Sequence, residues 1–157
     1  MCITMFYIFL TITGGLDIDL HERLETCSAV AEEAKAQGVD PKLAISVAWM
    51  ESRFYSNAKN KKSGAIGPMQ ILPHYWCPNK KGEFSIHKKD GVSKGCNSLK
   101  QGIYALGYYV RTRSSITKAL ASYGYTSNDS AYVRLTRKLH RCAKNPNRRE
   151  CRRGVQK

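Results

Sequence analysis

Residues 40–54 read DPKLAISVAWMESRF, and this stretch decides the fold. Asp40 and Pro41 are typical of a helix start, because an aspartate side chain caps free backbone N–H groups and proline suits the first helical turn. Apolar residues then recur at helical spacing as far as Arg53; they are Leu43, Val47 and Met50, widened by Ala44, Ala48 and Trp49. The pattern predicts a well-buried helix with Glu51 near its end.

Glu51 is the first candidate for chemistry. Its neighbours on the helix include Val47, Trp49, Met50 and Phe54. Apolar surroundings disfavour a charged carboxylate and raise its pKa. A carboxylic acid that keeps its proton near neutral pH can donate that proton to a leaving group.

A glycine-rich stretch follows, in which residues 63–73 read SGAIGPMQILP. Gly64 and Gly67 allow the backbone to approach a ligand closely. Ser63 and Gln70 supply a hydroxyl and an amide as hydrogen-bond partners. Such groups suit a sugar, which offers hydroxyls and an acetamido group.

The rest of the chain is mostly helical in pattern. Apolar residues recur at helical spacing before Gly38; they are Leu20, Leu24, Cys27, Ala31 and Ala34. Residues 55–95 contain many glycines and prolines, which predict turns. Three further helices are predicted, which begin after Asn97-Ser98, at Ser115 and after Asn128 to Ser130. We expect a mostly α single domain with a long irregular segment flanking the active-site cleft, since long irregular segments are usually functional.

The two ends of the chain differ from its middle. Residues 3–12 form an apolar block that is shorter than the roughly 18 residues of a membrane span. We expect residues 1–16 to be an export signal or a membrane-anchoring segment; the alternative is an N-terminal strand or helix tucked into the core. The main domain is expected over 17–143, and residues 144–157 form a basic surface tail unless Cys151 pins it.

Six cysteines permit 15 pairings, which the sequence cannot decide. An export signal would favour disulfides in general. Our expected pairs are Cys77–Cys96 and Cys142–Cys151. No spacing of cysteine and histidine fits a common zinc template, so neither a metal nor another cofactor is expected.

The charge is strongly positive and unevenly distributed. The chain holds 26 Lys and Arg against 12 Asp and Glu, a net charge of +14, yet residues 1–41 are net acidic. A surface this basic favours a polyanionic partner such as nucleic acid, anionic lipid or an anionic cell wall. A basic nucleic-acid-binding protein is the main alternative to an enzyme, but no reading helix or aromatic platform motif is evident.

The motifs resemble those of the soluble lytic transglycosylase (SLT) domain, a family with the goose-type lysozyme-like α fold. Glu51-Ser52 matches the Glu-Ser pair at a helix end, and residues 64–71 match its Gly-Ala-x-Gly-x-Met-Gln-Ile stretch. Residues 119–124 are similar to a third motif, Ala-Leu-Ala-x-Tyr-Asn-x-Gly. The resemblance spans about residues 24 to 140.

The resemblance implies that the domain over 17–143 is catalytic and degrades peptidoglycan. Glu51 would act as acid and then base on the bond between N-acetylmuramic acid and N-acetylglucosamine, and leave a 1,6-anhydromuramyl end. The substrate-binding residues would be Ser63, Gly67, Met69, Gln70 and Tyr123, with Tyr123 near Glu51. Two positions depart from the family pattern. Lys61 stands where the family usually has serine, so either Ser63 supplies that hydroxyl or the hydrogen bond is absent. Gly124 stands where the family usually has asparagine.

A missing group separates two reactions on this fold. Hydrolytic glycosidases generally need a second carboxylate, whereas residues 52–82 contain no Asp or Glu before Glu83 and Asp90. A single carboxyl favours intramolecular attack, so a lytic transglycosylase is expected over a muramidase.

The expected location is the periplasm, the cell envelope or a virion. Anionic wall polymers would attract the lysines near the site: Lys59, Lys61, Lys62, Lys80, Lys81, Lys88 and Lys89.

Overall fold

The computed structural model describes residues 2–13, 19–78 and 96–152. In these residues the chain forms eight helices and no extended strand, which confirms the predicted mostly α fold. The helices are α1 (Cys2–Thr13), α2 (Leu20–Ala36), α3 (Pro41–Ser52), α4 (Pro73–Trp76), α5 (Ser98–Thr112), α6 (Ile116–Tyr123), α7 (Ala131–Lys144) and α8 (Arg149–Arg152).

Helix α3 is the central element, and it begins as the sequence predicts. The Asp40 side chain accepts a hydrogen bond from the backbone N–H of Lys42 at 2.9 Å, and Pro41 occupies the first helical turn. Leu43, Val47 and Trp49 are buried. Helices α2 and α7 pack on α3, and α5 packs on α2 and α6. The last turn of α3 is thereby fixed against the helices that complete the site.

Trp49 is the centre of an aromatic cluster that includes the N-terminal helix. The rings of Phe6, Phe9 and Phe54 lie 5.4, 5.7 and 5.4 Å from the Trp49 ring, and all four side chains are buried. A disulfide joins Cys2 to Cys27 on α2. Helix α1 is therefore tucked into the core, the arrangement given above as the alternative for this segment. Export or anchoring by residues 1–16 stays a prediction.

Within the described ranges, no helix combines the length and apolar character required to cross a membrane.

The predicted starts of the later helices are also confirmed. Asn97, Ser115 and Ser130 accept hydrogen bonds from backbone N–H groups in the first turns of α5, α6 and α7, at 3.0, 3.2 and 3.2 Å. Each cap satisfies a donor that a helix end leaves open. These caps set where α6 and α7 begin, and hence where their tyrosines lie.

Both expected disulfides are present, Cys77–Cys96 and Cys142–Cys151. The second holds α8 against α7, where Glu150 also pairs with Arg141 at 3.1 Å. Residues 149–152 of the expected tail are therefore docked on the domain. The loop between Cys77 and Cys96 lies outside the described residues over 79–95, and with it Lys80, Lys81, Lys88, Lys89, Glu83 and Asp90.

The chain leaves α3 through a tight reversal. Arg53 and Phe54 have φ angles of 56° and 65°, in the left-handed region that side chains seldom adopt. The buried Arg23 of α2 donates a hydrogen bond to the Arg53 carbonyl, and its guanidinium lies 3.3 Å from the centroid of the Tyr55 ring. After the reversal, the irregular segment lies under the end of α3. Isolated β-bridges join Ile66 to Lys59 and to Ile71 within it.

Candidate active site

A groove of about 500 Å³ opens at the end of α3. It brings together the end of α3, the glycine-rich segment, the end of α6 and the start of α7. Its lining residues are Glu51, Asn60, Ser63, Ala65, Gln70, Leu72, Tyr123, Gly124, Tyr125, Thr126 and Tyr132. Glu51 is the one acidic side chain among them, so a single carboxyl faces this groove in the described part of the chain.

Burial dominates the electrostatics of Glu51. Desolvation raises its pKa from 4.5 to about 7, and a hydrogen bond from Tyr132 opposes part of that rise. The carboxyl therefore holds its proton over much of the range below neutral pH. This is the property that a general acid requires.

Tyr132 is the functional residue that sequence reasoning missed. Its hydroxyl on the first turn of α7 donates a 2.6 Å hydrogen bond to Glu51 Oε1. Burial, the Glu51 charge and this hydrogen bond raise the pKa of Tyr132 well above its usual value, so the hydroxyl stays a donor. Glu51 Oε2 has no hydrogen-bond partner among the residues that the structure describes. One carboxyl oxygen is thus anchored, and the other is left for a ligand.

Gly124 makes room for this tyrosine. A Cβ atom at position 124 would lie 2.6 Å from Cε1 of Tyr132, closer than real Cβ contacts come. Because the φ of Gly124 is −82°, its backbone conformation suits any residue, and the constraint is steric. The glycine at the position where the resembled family has asparagine therefore lets the Tyr132 ring pack against the end of α6.

The glycine-rich segment is tied to the site from two sides. Ser52 Oγ donates to the Pro68 carbonyl at 2.9 Å, and Tyr123 Oη donates to the Met69 carbonyl at 2.7 Å. Gly67 has a φ of 75°, and a Cβ there would lie 2.1 Å from Ser98 Oγ. Gly67 and Met69 are buried beneath the groove and do not line it. They fix the shape of the wall on which the ligand-facing side chains lie.

Gln70 and Ser63 do line the groove. The Gln70 amide nitrogen donates to the carbonyls of Gly67 and Ala58 at 3.0 and 3.3 Å, which fixes the side-chain orientation. Ser63 is exposed, and its Oγ accepts from the Ala65 N–H at 3.2 Å. Tyr123 lies close enough to Glu51 for the Glu51 charge to raise its pKa, but its hydroxyl bonds to Met69.

Lysines surround a second depression of about 630 Å³ on the other side of Glu51. Lys59, Lys61 and Lys62 line it together with Glu51 and Gln70. None of the three lysines forms an ion pair within the described ranges. The structure thus places these three predicted lysines next to the groove.

Possible metal ligands cluster at one place in the described ranges, formed by Cys142, Glu150 and Cys151. Its two sulfur atoms form a disulfide and so are not available as thiolate ligands. This cluster is also on the α7–α8 pair and shares no residue with the groove.

Residues 28–139 match the transglycosylase SLT domain family, and the chain belongs to that family. The match includes α3, the glycine-rich segment, α6 and most of α7, and therefore every residue that lines the groove. It supports a lytic-transglycosylase-type, peptidoglycan-degrading activity, which acts outside the cytoplasm. No curated protein sequence and no solved structure shows significant similarity to the chain.

Proposed function

We propose that the protein cleaves the β-1,4 bond between N-acetylmuramic acid and N-acetylglucosamine in peptidoglycan, with Glu51 as the single acid and base. The observation that carries the proposal is a mostly buried carboxyl with a pKa of about 7, the one acid lining the groove among the described residues. The proposed reaction uses no metal or cofactor.

In the first step, protonated Glu51 gives its proton to the glycosidic oxygen as the bond to the anomeric carbon breaks. The electron pair of that bond stays on the leaving oxygen, and the muramyl ring becomes oxocarbenium-like. Oε2 is the atom suited to this transfer, because Oε1 accepts the Tyr132 hydrogen bond. The N-acetylglucosamine leaves with a neutral hydroxyl. Glu51 is then a carboxylate, stabilised by the Tyr132 hydroxyl.

In the second step, the Glu51 carboxylate accepts the proton of the muramyl 6-hydroxyl. The oxygen of that hydroxyl attacks the anomeric carbon of the same sugar and closes the 1,6-anhydro ring. Glu51 regains its proton, and no water is consumed. Gln70, Ser63 and Tyr123 hold the sugar, while Gly67 and Met69 fix the wall beneath them.

Hydrolysis, the muramidase reaction, is the competing outcome for this groove, and it generally needs a second carboxylate to activate water. Digestion of purified peptidoglycan in oxygen-18 water separates the two outcomes. Intramolecular attack predicts anhydro ends without the label, as read by mass spectrometry. Reducing ends that carry oxygen-18 would identify hydrolysis and overturn the transglycosylase assignment.

The three lysines beside the groove support a further part of the proposal, attraction to anionic wall polymers. Lys59, Lys61 and Lys62 face solvent, so salt would screen their attraction to a polyanion over about 10 Å. Activity on whole walls is expected to fall with added salt, and activity on small uncharged chitin fragments is not. Equal salt sensitivity for both substrates would contradict this attraction.

The proposed setting is the periplasm, the cell envelope or a virion, where the enzyme meets peptidoglycan. The cationic surface is assigned to the wall and its polymers and not to specific nucleic acid. A gel-shift titration is expected to give only weak DNA binding that is lost as salt rises. Sequence-selective DNA binding would favour the alternative function.

A further inference from the structure

A third depression, of about 680 Å³, lies next to the groove on the far side of Tyr125. Tyr125 and Thr126 line both spaces, so the two are separated only by this short turn after α6. The remaining lining residues come from the end of α5, from α6 and from the turn before α7; they are Tyr109, Arg113, Lys118, Ala121, Ser122, Ser127 and Asn128. We call this space the side pocket.

Two cations and no acid line the side pocket. Arg113 Nε donates to Ser122 Oγ at 2.9 Å, and its guanidinium carbon lies 5.6 Å from the centroid of the Tyr109 ring. These contacts hold the guanidinium in place and leave its two terminal nitrogens without partners among the described residues. Lys118 is exposed on the first turn of α6, and it pairs with no carboxylate in the described ranges. The pocket therefore carries two positive charges that nothing described neutralises.

Tyr125 forms the wall between the side pocket and the groove. Its side chain is 61% exposed, and its φ of 49° lies in the left-handed region, which is costly for a side chain of this size. Tyr125 lies close enough to Tyr109, which lines the side pocket, to contribute to the raised pKa of Tyr109. An exposed aromatic ring between the groove beside Glu51 and a cationic pocket is suited to a ligand that has both a sugar face and an anionic branch.

We propose that the side pocket binds a carboxylate on the branch that muramic acid carries at its 3-hydroxyl, with Arg113 and Lys118 as the binding residues. The proposal rests on the proposed function, because it takes a muramic-acid sugar to lie beside Glu51. The glycan backbone offers only neutral hydroxyl and acetamido groups. The lactyl branch supplies a carboxylate when no peptide is attached, and the stem peptide supplies carboxylates when one is.

Binding to the Glu51→Gln variant tests the proposal without turnover. Calorimetry would compare three ligands of equal sugar length: chitooligosaccharides without a branch, muramic-acid strands stripped of peptide, and strands that keep their peptides. The double variant Arg113→Gln, Lys118→Gln is expected to bind the carboxylate-bearing ligands about 5- to 10-fold more weakly, as is usual for exposed charge-assisted contacts. Binding of chitooligosaccharides is expected to stay the same.

The control is Arg137→Gln, which removes one charge at an exposed position on α7 that lines neither the groove nor the side pocket. Weaker binding of stripped strands would identify the lactyl carboxylate as the ligand, and weaker binding of peptide strands alone would identify the stem peptide. Unchanged binding of both, or an equal loss for chitooligosaccharides or in Arg137→Gln, would overturn the inference. Failure of the parent variant to bind any of the three ligands would contradict the proposed function as well.

Discussion

Removal of one hydroxyl from the site gives the sharpest prediction, because Tyr132→Phe deletes the donor to Glu51 Oε1 and little else. The hydroxyl stabilises the charged carboxylate more than the neutral acid, and so it lowers the pKa of Glu51 against the larger effect of burial. Without it, the pKa of Glu51 must rise above about 7.

The size of the rise follows from the value of one hydrogen bond to a charged group. Such bonds contribute about 1.5 to 3 kcal/mol, and about 1.4 kcal/mol corresponds to a tenfold change in a protonation equilibrium. The pKa of Glu51 is therefore expected to move from about 7 to about 8 or above. Because the acid must be protonated to act, the alkaline fall in activity should move to higher pH by the same amount.

The assay is the pH dependence of fragment release from purified peptidoglycan. Below about pH 6, where Glu51 keeps its proton in both proteins, the ratio of rates reports only the lost positioning of the carboxyl. The matched control is Tyr108→Phe, since Tyr108 packs on Trp76 at 5.8 Å and does not line the groove. An alkaline limb that stays in place in Tyr132→Phe, or moves to lower pH, would refute the reasoning.

Three further predictions concern stability and the space around the site. In chemical denaturation, Glu51→Gln is expected to be more stable than wild type by about 3 kcal/mol near pH 8 and equally stable near pH 4. The reason is that Glu51 keeps its proton up to about pH 7 in the folded protein but only to about pH 4.5 in the unfolded chain. A stability difference that does not change with pH would contradict this. Gly124→Ala should reduce activity by about 10- to 100-fold through displacement of the Tyr132 ring, and the added methyl should cost about 1 to 3 kcal/mol of stability. Phe9→Ala should lower the free energy of unfolding by about 3 to 5 kcal/mol, because Phe9 is fully buried against Trp49; a loss under about 1 kcal/mol would show that α1 is not part of the core.

The helix that carries Glu51 could be predicted from the sequence alone. A side-chain cap at Asp40, a proline in the first turn and a stripe at helical spacing are local signals, and they agree with one another. The caps at Ser115 and Ser130 were predictable for the same reason. The direction of the Glu51 pKa shift was predictable from its apolar neighbours, whereas its size depends on burial in the folded domain.

Contacts between distant parts of the chain were not predictable in this way. Tyr132 lies 81 positions from Glu51, and its place on the helical stripe is equally consistent with a core residue. The space that it uses depends on Gly124, where the sequence showed only a departure from a motif. The apolar block over residues 3–12 fits an export segment by pattern. Two of its side chains, Phe6 and Phe9, pack on Trp49, and only the three-dimensional arrangement could show this.

The most direct test of the account is the rate at which wild type and Glu51→Gln release soluble fragments from purified peptidoglycan. Glu32→Gln, an exposed substitution of the same kind on α2, is the control. The account predicts that Glu51→Gln folds, as judged by circular dichroism, and loses about 100- to 10,000-fold in rate, the usual contribution of a general acid. A folded Glu51→Gln variant that releases fragments as fast as Glu32→Gln would contradict it.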